Sequence, residues 1–381
     1  MFFRKKNGII VKNYHAVIID KNENVRKKCV FAEIRENHKM LKIVVDAMGG
    51  DNAPVEIVKG AIQSLKERND FSLVLTGDSY LVKEELKKYK YDISRVEVVH
   101  CTEVITNDDV PTSAVRTKKD SSLVVGMKLL HDDPEVGGFV SAGSTGAVLT
   151  GGIMLVGRIK GVMRPALCPA IPNVRGSQTL LCDCGANAEC KPQYLAQFGV
   201  MASAYAKAAF GVQNPRVGLL TNGTEEHKGD PLHQEAHQLL KQTDGVYFVG
   251  NVEGRDIMYG DIDVAVSDGF SGNVALKAIE GCGKTVATVL SDSLRASFSS
   301  KLGYLFVKKP IGKLKRMLDY SRMGGSVFLG LKKVVVKSHG SSKAKSICPS
   351  VVQAVDAYRN GLIDMIAQNL QTESPAEETD A

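Results

Sequence analysis

The chain has 381 residues, 44% of them hydrophobic and 24% charged, with a formal net charge of +7. That apolar content excludes disorder over most of the length, which suits two or three domains or one large α/β domain. Trp is absent and aromatics make up 6%, which argues against a nucleic-acid binder built on stacking platforms. Residues 1–39 hold ten basic and four acidic side chains, no Ser and no long apolar run. They fit neither a secretory signal nor a transit peptide. They read as an appended basic arm outside the main fold, poorly ordered, or as translation from a start upstream of Met40.

From Met40 short apolar runs alternate with longer amphipathic ones. Leu41–Ala47 predicts a strand and Pro54–Arg68 a helix, with Pro at its start where the missing N–H costs nothing. Ser72–Thr76, Val96–His100 and Gly138–Ala142 predict strands, with helices over Ser79–Lys90 and Lys118–His131. Residues 136–157 carry no charge, yet seven of them are Gly, so they read as strand, tight loop and helix (Thr145–Arg158) and not as a membrane span. Next come strand Thr179–Asp183, helix Gln193–Phe210, strand Arg216–Thr221 and helix Pro231–Lys241. Strands Val246–Gly250 and Ile262–Ser267, helix Gly272–Phe298, strand Lys333–Ser338 and helix Ser342–Leu370 complete the order, and 371–381 is an acidic tail. This β-α-β-α order implies a three-layer α/β/α, Rossmann-like arrangement around a mostly parallel sheet, spanning 40–370.

The eight cysteines form no regular framework, and a chain of this length folds without disulfides, so they read as reduced thiols. Cys182, Cys184 and Cys190 are spaced C-x-C-x5-C without a fourth ligand at finger spacing, which argues against a metal site.

In open α/β sheets the ligand lies outside the carboxyl ends of the strands, and here nearly every strand ends in a small, polar loop. In VDAMGGDNAP (45–54), Asp46 ends the strand, Gly49 and Gly50 make the turn and Asp51 precedes the helix. The loop suits close backbone approach to an anion, or equally a plain βα turn. It is not G-x-G-x-x-G, so it carries no dinucleotide fingerprint. In SAGSTGA (141–147), the N–H groups of Ser144, Thr145 and Gly146 could hold a phosphate or a developing oxyanion, against a tight turn capped by Ser144. In CDCGANAEC (182–190), Asp183 closes a strand and Asn187 enters the next helix. Cys190 could accept an acyl group only with a base beside it; the commoner role of a free Cys is a small buried hydrophobe. TNGTEEHKGD (221–230), NVEGRDI (251–257) and SDGFSGNVALK (267–277) supply Lys228, Glu253, Asp268, Gly269, Asn273 and Lys277 at successive strand ends. His339, in SHGSS, is a proton donor or phosphate ligand, or a capped turn.

These strings occur in order together with MRPALCPAIP and SRMGGSVFLGLKKVVVKSHGSS, and over residues 40–365 they resemble the bacterial phosphate acyltransferase family, PlsX. Ser144 stands where the family's loop usually has Asn, and GLLTNG stands for the more usual GLLNIG. The resemblance implies a fold related to phosphotransacetylases and isocitrate-dehydrogenase-like enzymes. It implies transfer of an acyl group from acyl-[acyl-carrier-protein] to inorganic phosphate for phospholipid synthesis, without cofactor or metal. It also implies a homodimer at the inner face of the cell membrane, working with a downstream glycerol-3-phosphate acyltransferase. The nucleophile would be phosphate itself, held with the oxyanion by Gly49, Gly50, Ser144, Thr145, Gly146, Lys228 and Lys277. Asp46, Asp183, Asn187, Asp268 and Asn273 would orient these groups and His339 would serve as acid. A phosphotransacetylase-type enzyme using short-chain acyl-CoA is the alternative.

Charge is unevenly placed. Residues 295–345 hold 13 basic residues and one acid, Asp319, and outside this stretch and the arm the chain is acidic. The apolar LGYLFV run at 302–307, followed by lysines, suits an anionic membrane surface or an acidic carrier protein, or a dimer-interface helix pair with a solvated face. The acidic remainder argues against nucleic acid.

Overall fold

The computed structural model describes residues 9–12, 15–18, 40–295, 304, 307–309, 311–312 and 324–371. Its contacts divide the chain between Met40 and Leu41. In the first unit, β1 (Ile9–Lys12) pairs antiparallel with β2 (His15–Ile18).

The second unit begins with β3 (Leu41–Asp46), α1 (Val55–Glu67), β4 (Phe71–Gly77), α2 (Ser79–Leu86) and β5 (Val96–His100). It continues through α3 (Pro111–Thr117), α4 (Ser122–Asp132), β6 (Val136–Ser141) and α5 (Thr145–Gly151), which runs on into a π-helical turn, Gly152–Val156. Next are β7 (Ala166–Cys168), β8 (Ala170–Pro172), β9 (Gln178–Cys182), α6 (Pro192–Phe210), β10 (Arg216–Leu220) and α7 (Pro231–Gln242). Then follow β11 (Tyr247–Val252), β12 (Val264–Val266), α8 (Gly269–Arg295), β13 (Ser326–Leu329), β14 (Val334–Lys337), α9 (Ala344–Arg359) and α10 (Leu362–Gln371).

The strands build two sheets, ordered β5-β4-β3-β6-β14-β13-β7 and β11-β10-β12-β9-β8. In the first, β13 runs antiparallel to its neighbours and the rest are parallel; in the second only the edge strand β8 is antiparallel. Helices cover both sides, as the β-α order requires. The arrangement is two mixed parallel sheets where a single one was expected. The crossing falls at Pro169, the one residue between β7 and β8. The short strands β7, β8 and β13 carry no readable period in three or four residues.

The inner strands β4, β3, β6 and β14 of the first sheet are buried on both faces, which is why they are rich in apolar residues. Ile43, Val45, Leu73, Leu75, Val140, Val334 and Val336 pack with Ile57 of α1 and Val351 of α9. Val44, Val74, Phe139 and Val335 pack on the other side with Leu123 and Met127 of α4 and Val148 of α5. One predicted helix begins later than expected, preceded by a helix the sequence did not signal, and another is divided. Pro111 starts a helix of its own and Ser121 caps α4, while a turn at Asn360–Gly361 separates α9 from α10. The predicted helix at 272–298 starts three residues earlier, at Gly269. Its end beyond Arg295, most of the basic segment at 295–320 and the tail from residue 372 lie outside the described residues. Among those described, no helix is long and apolar enough to cross a membrane.

Candidate active site

The alternation along the first sheet places Thr76, Asp46, Ser141 and Lys337 on one face, at the carboxyl ends of β4, β3, β6 and β14. Asp46 lies opposite Thr76 and Lys337 opposite Ser141 in register, and all four are buried. Asp46 accepts from Ser122 at 2.6 Å and from Ser141 at 2.7 Å, and the Met48 N–H lies 3.3 Å from the same carboxylate. Thr76 donates to the Ser122 carbonyl at 2.8 Å. Burial pushes the Asp46 carboxyl up, and the two hydroxyls and the loop N–H groups pull it back. The Lys337 ammonium donates to the Ser338 carbonyl. Burial lowers it from 10.5 to about 8, against the pull of Asp46 and Asp51.

The loops above this row are packed on one another. Asp51 N–H donates to the Gly340 carbonyl at 2.9 Å, and the Asn52 amide reaches the carbonyls of Ser341 and Ser342. Gly50 has φ +97° with the Ala142 methyl and the Gly340 carbonyl against it, so only glycine fits this turn. Ser141 Oγ accepts from Gly143 N–H at 3.0 Å, so it ties Asp46 to the 141–147 loop. The Ser144 side chain makes no cap bond. Ser144 nonetheless holds the N-cap position of α5, where its carbonyl accepts from Val148 N–H at 2.9 Å. Gly146 sits against Pro111 of α3. Exposed His339 has Nδ1 2.8 Å from the Ser341 hydroxyl and 3.2 Å from the Ser341 N–H, which leaves Nε2 as its outward nitrogen.

The second sheet carries its own group. Asp183, after β9, is fully buried and accepts from the N–H groups of Leu167 at 2.8 Å, Ala186 at 3.1 Å and Asn187 at 2.7 Å, and from the Asn187 amide at 3.0 Å. It holds the loop, and no oxygen is spare for substrate. Asn187 carries the order onward: its amide donates to Pro165 and its carbonyl accepts from Gly269 N–H. Asp268 caps α8 through Phe270 and Ser271 N–H. Asn273, one turn on, lies over Gly185, and exposed Lys277 is a turn further along the same face. Ala186 packs against the cluster of α5, β7 and β13, which joins this group to the first sheet.

The 221–230 loop is braced from three sides. Asn251 donates to the Glu225 carbonyl, Gln238 to Glu226, and Gln234 to the carbonyls of His227 and Gly229. Lys228 N–H donates to the Glu225 carbonyl at 3.0 Å, and its side chain lies against Gly223, with no bond from its ammonium among the described residues. His233 connects the loop to α8, with Nδ1 2.6 Å from Asp230 and Nε2 3.6 Å from Asp268. Glu253 is not brought to this group. It follows edge strand β11, three strands or about 14 Å from β9, and it pairs with Arg255.

Burial raises the Cys190 thiol to about 12, and Cys182 and Cys184 are pushed well up inside the core. These thiols are poor nucleophiles as they stand. Lys337 and His233 were missed as site residues. A lysine ending the run VVVKS reads as a solvated strand end, although its place opposite Ser141 buries it. The His233 signal was Asp-x-x-His at a helix start.

The two-sheet fold is similar to that of a phosphotransacetylase from Streptococcus pyogenes, with TM-score 0.53 and 20% identity, covering 90% of this chain and 98% of that one. It is also similar to the EutD phosphotransacetylase from Staphylococcus aureus, with TM-score 0.51 and 18% identity, covering 87% and 94%. The fold is that of the phosphotransacetylases. Residues 41–365 match the family described as fatty acid synthesis protein. A phosphate acyltransferase of Clostridium novyi (strain NT) is 45% identical over 87% of this chain and 99% of that protein. One of Clostridioides difficile (strain 630) is 43% identical over 86% and 96%. The chain belongs to this family, the phosphate acyltransferases (PlsX), and is an acyltransferase that works with phosphate.

Proposed function

We propose that the protein transfers a fatty acyl group from acyl-[acyl-carrier-protein] to inorganic phosphate, giving acyl phosphate for phospholipid synthesis. A phosphate oxygen attacks the thioester carbonyl, the carbon–sulfur bond breaks, and the carrier thiol leaves with the proton that the phosphate dianion carried. Phosphate is already anionic, so no serine or cysteine need be activated. The enzyme must orient phosphate and stabilise the oxyanion. The observation that carries this reading is the strand-end row ending in Lys337. It sets a buried ammonium close to Asp46 and Asp51, beside a glycine loop that Ser141 ties to Asp46. The raised Cys190 thiol supports direct attack over an acyl-enzyme.

In this reading Gly49, Gly50, Ser144, Thr145, Gly146 and Lys337 receive phosphate, and Lys228, Asn273 and Lys277 face the oxyanion. Asp46, Asp183, Asn187 and Asp268 position the loops, and His339, when protonated, hands its proton to the leaving thiolate and recovers one from the phosphate, so that a single net proton passes from phosphate to thiol. The uneven charge of the chain supports an acidic carrier over acyl-CoA, and the basic stretch also suits peripheral contact with a membrane, where the product meets the glycerol-3-phosphate acyltransferase. A homodimer belongs to the same reading. The test compares phosphate-dependent thiol release from acyl-carrier and short-chain acyl-CoA donors. The carrier is expected to be preferred, and a preference for short acyl-CoA would make the protein a phosphotransacetylase.

A further inference from the structure

Beside the Asp183–Asn187 loop lies a cavity of about 730 Å³ whose lining includes Ile153, Arg158, Arg164, Pro165, Lys191 and Tyr194. Its three charged residues are all cations. Among the described residues none of the three pairs with a carboxylate, whereas Arg68, Arg175, Arg216, Arg255 and Arg359 each do. The Arg158 guanidinium is fixed by the carbonyls of Val162 and Met163. The Arg164 guanidinium stands 6.0 Å over the Tyr194 ring, held in place by an aromatic face without being neutralised. Preset guanidiniums with no counter-charge, over an apolar and aromatic floor, suit a phosphate group attached to an organic arm.

Position defines which phosphate. The Pro165 carbonyl in the lining accepts from Asn187, so the cavity adjoins the loop that Asp183 holds. Ile153 belongs to the same helical rod as Thr145, eight residues or about 12 Å along it. That is too far for the phosphate that attacks at the 141–147 loop. It suits the far end of an extended pantetheine arm whose thioester lies at that loop. We propose that Arg158, Arg164 and Lys191 form a second anion subsite, which takes the phosphodiester at the root of the acyl donor's pantetheine arm. The inference rests on the acyl-transfer reading above and adds to it where the donor is gripped.

The test uses the full chain and the double variant Arg164→Ala/Lys191→Ala, with Arg158 kept because it braces its own loop. Thiol release is measured with acyl-carrier protein, with acyl-CoA and with acyl-pantetheine, which has no phosphate. The preference for the carrier over acyl-pantetheine in kcat/KM is expected to fall about tenfold or more, through KM, as for one lost charge-assisted contact. Arg164→Lys/Lys191→Arg is expected to restore most of it. A loss confined to acyl-CoA would support the phosphate subsite and reassign its source to the nucleotide-bearing donor. Equal loss on all three donors, with unchanged Tm, would overturn the subsite, as would no loss on any. A wild-type protein that turns over none of the donors would instead sink the acyl-transfer reading.

Discussion

Ser141 Oγ donates to Asp46 at 2.7 Å and accepts from Gly143 N–H at 3.0 Å, so one hydroxyl couples a buried carboxylate to the loop proposed to receive phosphate. Ser141→Ala breaks both bonds. The expected cost is about 1–3 kcal/mol of stability, since an oxygen of Asp46 is left unpaired in the core. The KM for phosphate is expected to rise more than that for the acyl donor, because Ser141 bonds directly to the loop proposed to receive phosphate. Urea unfolding and separate KM measurements check this. An unchanged phosphate KM would detach Asp46 from the phosphate loop.

Lys337 gives a pH signature. Burial sets the folded ammonium at about 8, below its ordinary 10.5. Between those values the unfolded chain binds the extra proton, so the drag of this group on stability is full below about pH 8 and fades as pH rises toward 10.5. Lys337→Met is therefore expected to be more stable than the parent at pH 7, by an amount on the order of 2 kcal/mol, and the gap is expected to close by pH 10. Paired urea titrations at the two pH values read it. A constant gap would mean that the amine is solvated.

The same lysine predicts how activity depends on pH. If its charge draws phosphate, kcat/KM for phosphate falls above about pH 8, and Lys337→Arg moves that fall to higher pH because a guanidinium stays charged. Parallel profiles for parent and variant would assign the fall to another group.

Gly272 packs face to face with the Asp183 carbonyl, and a Cβ there would sit 1.9 Å from that oxygen. Gly272→Ala must push α8 away from the Asp183 loop. The expected loss is about 3 kcal/mol or more, read as a fall in Tm, with activity lost in step as Asn273 leaves Gly185. Wild-type stability would show that α8 shifts freely.

The elements that sequence reading placed well are those whose signal is contiguous. β3, β6 and β14 are short, mostly apolar stretches ended by polar loops, and each glycine loop is a single string. What it missed depends on partners far along the chain. Lys337 is buried because β6 and the β3 loop close over it, about 195 and 285 residues earlier. His233 meets Asp268 only after β10 and β12 pair. Periodicity shows that strands alternate with helices but not which strands share a sheet, so the change of sheet at Pro169 was invisible. Glu253 was grouped with the other strand-end acids because sequence gives no order of strands across the second sheet.

Attack of phosphate itself on the carrier's thioester is checked by following thiol release and acyl phosphate together. Purified protein is given acyl-carrier thioester with and without inorganic phosphate, and acyl phosphate is trapped with hydroxylamine. Thiol and hydroxamate are predicted to appear in equal amounts, only when phosphate is present, and equally well in Cys190→Ala. Thiol released without phosphate, or acyl groups accumulating on the protein in a Cys190-dependent way, would contradict it.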